Sequence, residues 1–101
     1  MPYHQEILIK NDENTIYMQI EECSKNHYEV QISNEWYSIT DNYILDENNR
    51  NKIFQNGKDA FEYIVNNFFT QPIKALKTRG TYFVNENELK AISKLNIIEI
   101  V

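Results

Sequence analysis

The chain is poor in the residues that break or cross-link a backbone. Its 101 residues include two Gly, two Pro and one Cys. So few breakers predict regular structure over most of the length. Two glycines cannot build a Gly-rich phosphate loop. One cysteine, Cys23, cannot form an internal disulfide, whereas a small secreted domain would need several. No window approaches 18 consecutive apolar residues, so no helical membrane span is predicted. The first residues, Met1 to Glu6, lack the basic region and apolar run of a signal peptide. These absences predict a cytoplasmic protein without disulfides.

What is present suffices for one folded unit. Hydrophobic residues make up 42% and aromatics 13%, enough to pack a core over a single domain spanning 1–101. Asn and Ile number fourteen each, while Arg numbers two and Ala three. The favoured residues have AT-rich codons, which points to a low-GC bacterial genome or a mobile element. The net charge is −5, unevenly spread: residues 1–50 hold ten acids and three bases, residues 51–101 five acids and seven bases. An acidic half disfavours nucleic acid and anionic membranes and attracts basic partners.

The first forty residues read as strands. Glu6–Lys10 is a short apolar run, and Asn11-Asp12-Glu13-Asn14 is a polar turn. From Thr15 to Glu21, Ile16, Met18 and Ile20 alternate with Tyr17, Gln19 and Glu21, the period of a half-buried strand. After the turn Ser24-Lys25-Asn26, Tyr28, Val30 and Ile32 alternate with Glu29 and Gln31. Trp36–Thr40 reads as a fourth strand, and Tyr43–Leu45 and Lys52–Gln55 as extensions of the sheet. Such close spacing favours an antiparallel meander with one wet face.

Beyond Asn56-Gly57, a helix is predicted over Lys58–Phe69. Ala60, Phe61, Ile64, Val65, Phe68 and Phe69 make a broad apolar stripe. Thr70-Gln71-Pro72 fits the start of a second, short helix with Ile73, Ala75 and Leu76 buried and Gly80 as its stop. Thr81–Val84 reads as a strand. Asn85 with Glu88 forms a capping box for a third helix, which buries Leu89, Ile92 and Leu95. Ile97–Val101 reads as a terminal strand. The predicted fold is α+β: a mainly antiparallel sheet of four to six strands, one long helix packed on one face, and a C-terminal strand–helix–strand unit.

Catalytic constellations are sparse. His4 is predicted at a frayed end and His27 in a turn. Cys23 and His27 are four apart, close enough for a nucleophile pair or half a metal site. A structural metal site needs four ligands, and no second cluster accompanies them. The pair is therefore read as a half-buried Cys beside a turn His, and no catalytic residue, metal or cofactor is predicted. Lys74, Lys77 and Arg79 cluster, but an acidic chain is a poor electrostatic candidate for nucleic acid.

The remaining candidate is a protein-binding surface. Asp12, Glu13, Tyr17, Glu21, Glu35, Trp36, Tyr37 and Tyr43 combine acids with aromatic anchors, which a basic protein partner would select. In size and charge the chain is similar to small acidic immunity proteins and antitoxins, and equally to small phage-encoded inhibitors of host defence. No motif is shared with either. The predicted function is stoichiometric inhibition of a basic toxin, a nuclease by preference. The alternatives are a mobile-element inhibitor of a host nucleic-acid-binding protein, and third a small enzyme or ligand-binding domain.

Overall fold

The computed structural model describes residues 4–33, 43–69, 71–80, 84–93 and 99–100. Strands β1 (His4–Lys10), β2 (Thr15–Ser24) and β3 (His27–Ser33) form the meander that the alternation predicts. Helix α1 (Gly57–Phe68) follows, then β4 (Ala75–Gly80), α2 (Glu86–Ser93) and β5 (Glu99–Ile100). The sheet has five strands in the order β3-β2-β1-β4-β5, antiparallel except for the β4–β5 pair.

Tight polar turns set the registers. Asn11 Oδ1 accepts from the backbone N–H of Glu13 (2.9 Å) and Asn14 (2.7 Å), closing β1 onto β2. This is an Asx turn, in which the side chain replaces a backbone acceptor. Asn26 takes the left-handed conformation (φ 60°) between β2 and β3, which Asn tolerates better than most residues. Ile7 and Ile9 then stand opposite Met18 and Ile16, and all four are buried on one face.

Both helices contribute to the core that covers that face. Asn56 caps α1, its Oδ1 accepting from Asp59 N–H (2.8 Å). Ala60, Phe61 and Ile64 enter the core with Val30, Leu76, Val84 and Leu89. Val65 is partly buried, whereas Phe68 is 38% exposed and Phe69, just past the helix end, turns inward instead. The expectation that Phe68 is core is thus corrected: Phe68 is the last residue of the helix and only partly covered, and the extended Phe69 turns inward beyond it. On the flank, Phe54 and Tyr63 meet edge-to-face at 5.5 Å, with Lys52 over both rings.

The predicted second helix is a strand. Residues Ala75–Gly80 form β4, antiparallel to β1, with Leu76 and Thr78 facing the core. The polar inward residue Thr78 is satisfied by Gln5, which is itself fully buried. Gln5 Nε2 donates to Thr78 Oγ1 (2.7 Å) and to the Val84 carbonyl (3.2 Å), and Gln5 Oε1 accepts from Val84 N–H (3.1 Å). Gly80 closes the strand at φ 98°, and a Cβ there would lie 2.6 Å from the His4 carbonyl oxygen. His4, expected at a frayed end, is the first paired residue of β1, opposite Glu21.

Asn85 caps α2 as predicted, accepting from Glu88 N–H (3.0 Å) and donating to the Glu88 carboxylate. The predicted strands Trp36–Thr40 and Thr81–Val84 fall outside the described residues, except Val84, which sits at a bend. Tyr43 and Phe54 reach β3 as isolated bridges to Gln31 and Tyr28, and so shield its outer edge. No described helix is long and apolar enough to cross a membrane.

Two measurements check this packing. Phe61→Ala should cost about 3–5 kcal/mol by urea denaturation, and Phe68→Ala about 1 kcal/mol or less. Gln5→Ala should cost about 2–5 kcal/mol, because it orphans the buried Val84 N–H and the Thr78 hydroxyl. A Gln5→Ala midpoint equal to the parent's would show that the carboxamide does not hold β4 and the entry to α2 onto β1.

Candidate functional site

The sheet face opposite the core carries alternate residues from each strand. β1 gives His4, Glu6, Leu8 and Lys10, and β2 gives Tyr17, Gln19 and Glu21. β3 contributes Glu29, Gln31 and Ser33, and β4 adds Ala75, Lys77 and Arg79. No described helix packs on it.

Among the described residues, the predicted binding residues do not form one patch. Asp12 and Glu13 lie in the β1–β2 turn, where Asp12 pairs with Lys74 (2.8 Å) and Glu13 accepts from Gln71 (3.2 Å). Glu21 lies near the other end of β2, roughly 25–30 Å from Glu13 at about 3.3 Å per residue. Tyr17 stands between them but is only 7% exposed. Its expected role as a solvent-facing anchor is corrected, because its hydroxyl is committed to Glu6 Oε1 (2.5 Å). Tyr43 is half-buried beside Gln31. Glu35, Trp36 and Tyr37 lie outside the described residues.

Glu6 is the charge centre of the middle of this face. It accepts from Tyr17 and from the Arg79 guanidinium. Burial raises its carboxyl, but these hydrogen bonds and the Arg79 charge prevail and hold it below the ordinary value of 4.5. Two of the basic residues expected on a helix surface are thereby paired across strands and turns, Arg79 with Glu6 and Lys74 with Asp12.

The densest chemistry sits at the β2–β3 hairpin end. Glu22 opposes Tyr28 and Ser24 opposes His27, so Cys23 is the extra residue of a bulge. Bulges re-aim side chains, and here the Cys23 thiol donates to Glu29 Oε2 at 3.0 Å. His27 Nε2 lies 3.1 Å from the same oxygen. The other carboxylate oxygen, Oε1, accepts from Asn51 Nδ2 at 2.7 Å. Asn51 is delivered by a turn in which Asp46 Oδ1 accepts from Asn48 and Arg50 N–H (2.8 and 3.0 Å).

This cluster corrects two expectations. Cys23 is exposed rather than half-buried. Its companion set is also larger than the Cys–His pair, because Glu29 joins it. The signal for Glu29 was available: His27 and Glu29 are two apart in a strand and share a face. As a nucleophile the thiol is in the wrong state. Burial, the Glu29 hydrogen bond and the nearby carboxylates push it up to about 11, whereas reactive thiols are held down by cations. The same contacts, led by the Cys23 and Asn51 hydrogen bonds, lower the Glu29 carboxyl.

No protein-family model, curated protein or solved structure matches the chain.

The lowered Glu6 and Glu29 carboxyls set a pH dependence. The unfolded chain takes up protons at these groups before the folded chain does. Stability from them is present above the ordinary value of 4.5 and is lost as pH falls through the folded values below it. Urea midpoints should therefore decline as pH falls from about 5, and the decline should be shallower in Glu6→Gln and in Glu29→Gln. Parallel curves for parent and variants would show that neither carboxyl contributes.

Proposed function

We propose that this chain is a protein-binding inhibitor of the immunity-protein or antitoxin type, capturing a basic partner such as a toxic nuclease on the open face of its sheet. The observation that carries the reading is a polar two-by-two patch at the hairpin side of that face. Gln19 stands directly opposite Gln31, and Glu21 directly opposite Glu29, on strands β2 and β3. Tyr43 borders it through its bridge to Gln31.

The physics favours binding over chemistry here. Glu29 is already held by Cys23, His27 and Asn51, and Glu21 directly opposite adds a second carboxylate, so the pair concentrates negative charge that attracts a basic partner. The sheet fixes the direction in which each side chain leaves the backbone, so the four polar groups are presented together on one face. Tyr43 adds an anchor with large area and few rotors. The surface is narrower than the full acidic half: Asp12 and Glu13 sit in the β1–β2 turn at the far end of the sheet.

The first step of the test is capture of the partner from the producing cell with the tagged chain. The decisive measurement is then the pair of rate constants. Gln19→Lys with Glu21→Lys should slow association several-fold and flatten its salt dependence, because steering acts on encounter. Tyr43→Ala should leave association nearly unchanged and speed dissociation. If these two lysine substitutions alter neither rate at any salt concentration, the patch is not the interface.

A further inference from the structure

We propose that the β2–β3 hairpin end binds one divalent transition metal of the zinc class, ligated by Cys23 Sγ, His27 Nε2 and a Glu29 carboxylate oxygen, with a fourth position open. This replaces the sequence-based expectation of no metal, which rested on finding only two ligands. The three ligand atoms all lie within 4.8 Å of one another. A tetrahedral zinc ion, with bonds of about 2.0–2.3 Å, needs its ligand atoms roughly 3.3–3.8 Å apart. The two separations from Glu29 Oε2, 3.0 and 3.1 Å, fall slightly short of that span, and the thiol and imidazole lie within 4.8 Å of each other, so side-chain adjustment brings the three atoms to it.

The existing hydrogen bonds show where the cation belongs. A thiol and an imidazole converge on a single carboxylate oxygen, so the space among the three atoms is one that positive charge favours. Binding replaces the thiol proton: the S–H bond breaks, an S–metal bond forms, and the proton passes to solvent. Imidazole donates the lone pair of its neutral Nε2. Thiolate and carboxylate together neutralise a dication.

The surroundings are those of a site. Asn51 holds the non-ligating Glu29 oxygen, the outer-shell orientation that ligating carboxylates commonly receive. Glu21, the cross-strand partner of Glu29, adds negative charge alongside. Cys23 is exposed, and the His27 and Glu29 side chains are 36% and 17% exposed, so an ion can enter from solvent. Thiolate with imidazole selects zinc-like ions over Mg²⁺ or Ca²⁺, which prefer all-oxygen sets. Glu29 is common to the ligand set and the proposed interface patch, but metal binding needs only this chain's Cys23, His27 and Glu29 and no docked partner.

The test is titration of the reduced full chain with Co²⁺ at neutral pH, as a spectroscopic stand-in for Zn²⁺. A thiolate–cobalt charge-transfer band saturating at one equivalent is expected, with the visible bands of four-coordinate cobalt, and Zn²⁺ should abolish both. Cys23→Ser should remove the charge-transfer band. His27→Ala and Glu29→Gln should each weaken affinity at least as much as the about ten- to hundredfold typical of losing an outer-shell partner such as Asn51. The parent alone gives a second readout: saturating Zn²⁺ should release a proton and protect Cys23 from alkylation. An absent thiolate band, or a Cys23 alkylation rate unchanged by zinc, overturns the site. So does undiminished affinity in both His27→Ala and Glu29→Gln, which would reduce the binding to a lone thiol.

Discussion

Strand β1 has hydrogen-bonded neighbours on both edges, β2 on one and β4 on the other, and the remaining architecture follows from that. Its residues Ile7 and Ile9 lie at the centre of the core. Its other apolar-facing residue is Gln5, a buried amide that must find partners or cost its full desolvation. It finds them in Thr78 and Val84, one in β4 and one at the entry to α2. A polar group in the core thus specifies which strand lies beside β1 and where the chain departs toward α2. Apolar packing alone would leave that choice less defined.

The same amide explains why part of the fold was hidden in the sequence. Where inward positions are apolar, as at Ile16, Met18 and Ile20, the period of two is plain. In β4 the inward residue after Leu76 is Thr78, whose burial makes sense only once Gln5, diagonal to it on β1, donates to its hydroxyl. Without that partner, Ile73, Ala75 and Leu76 between Pro72 and Gly80 imitate a short helix. The α1 stripe and the Asn85–Glu88 cap were legible because both are local: neighbours along one helix create the signal. Long-range polar pairing leaves no such trace.

The hairpin site was half legible for a similar reason. Cys23 and His27 stand out by residue type. Glu29 is one acid among fifteen; its spacing from His27 puts the two on one face, but the bulge at Cys23 is what turns the thiol toward it. The structure also separates acids that composition lumps together. Asp12 and Glu13 serve a turn, Glu6 binds Tyr17 and Arg79, Glu22 accepts from Tyr28, and Glu21 and Glu29 face each other on the side away from the core.

The outer edge of β3 is occupied by the chain's own backbone. Tyr28 exchanges hydrogen bonds with Phe54, and the Val30 carbonyl accepts from Ile44 N–H. A visiting strand therefore finds these main-chain groups already taken, and recognition on this side must be read through side chains. Main-chain pairing is nearly indifferent to sequence, whereas side-chain contacts change with each substitution. Side chains on this side can thus be exchanged one codon at a time while the main-chain pairing that builds the scaffold stays intact.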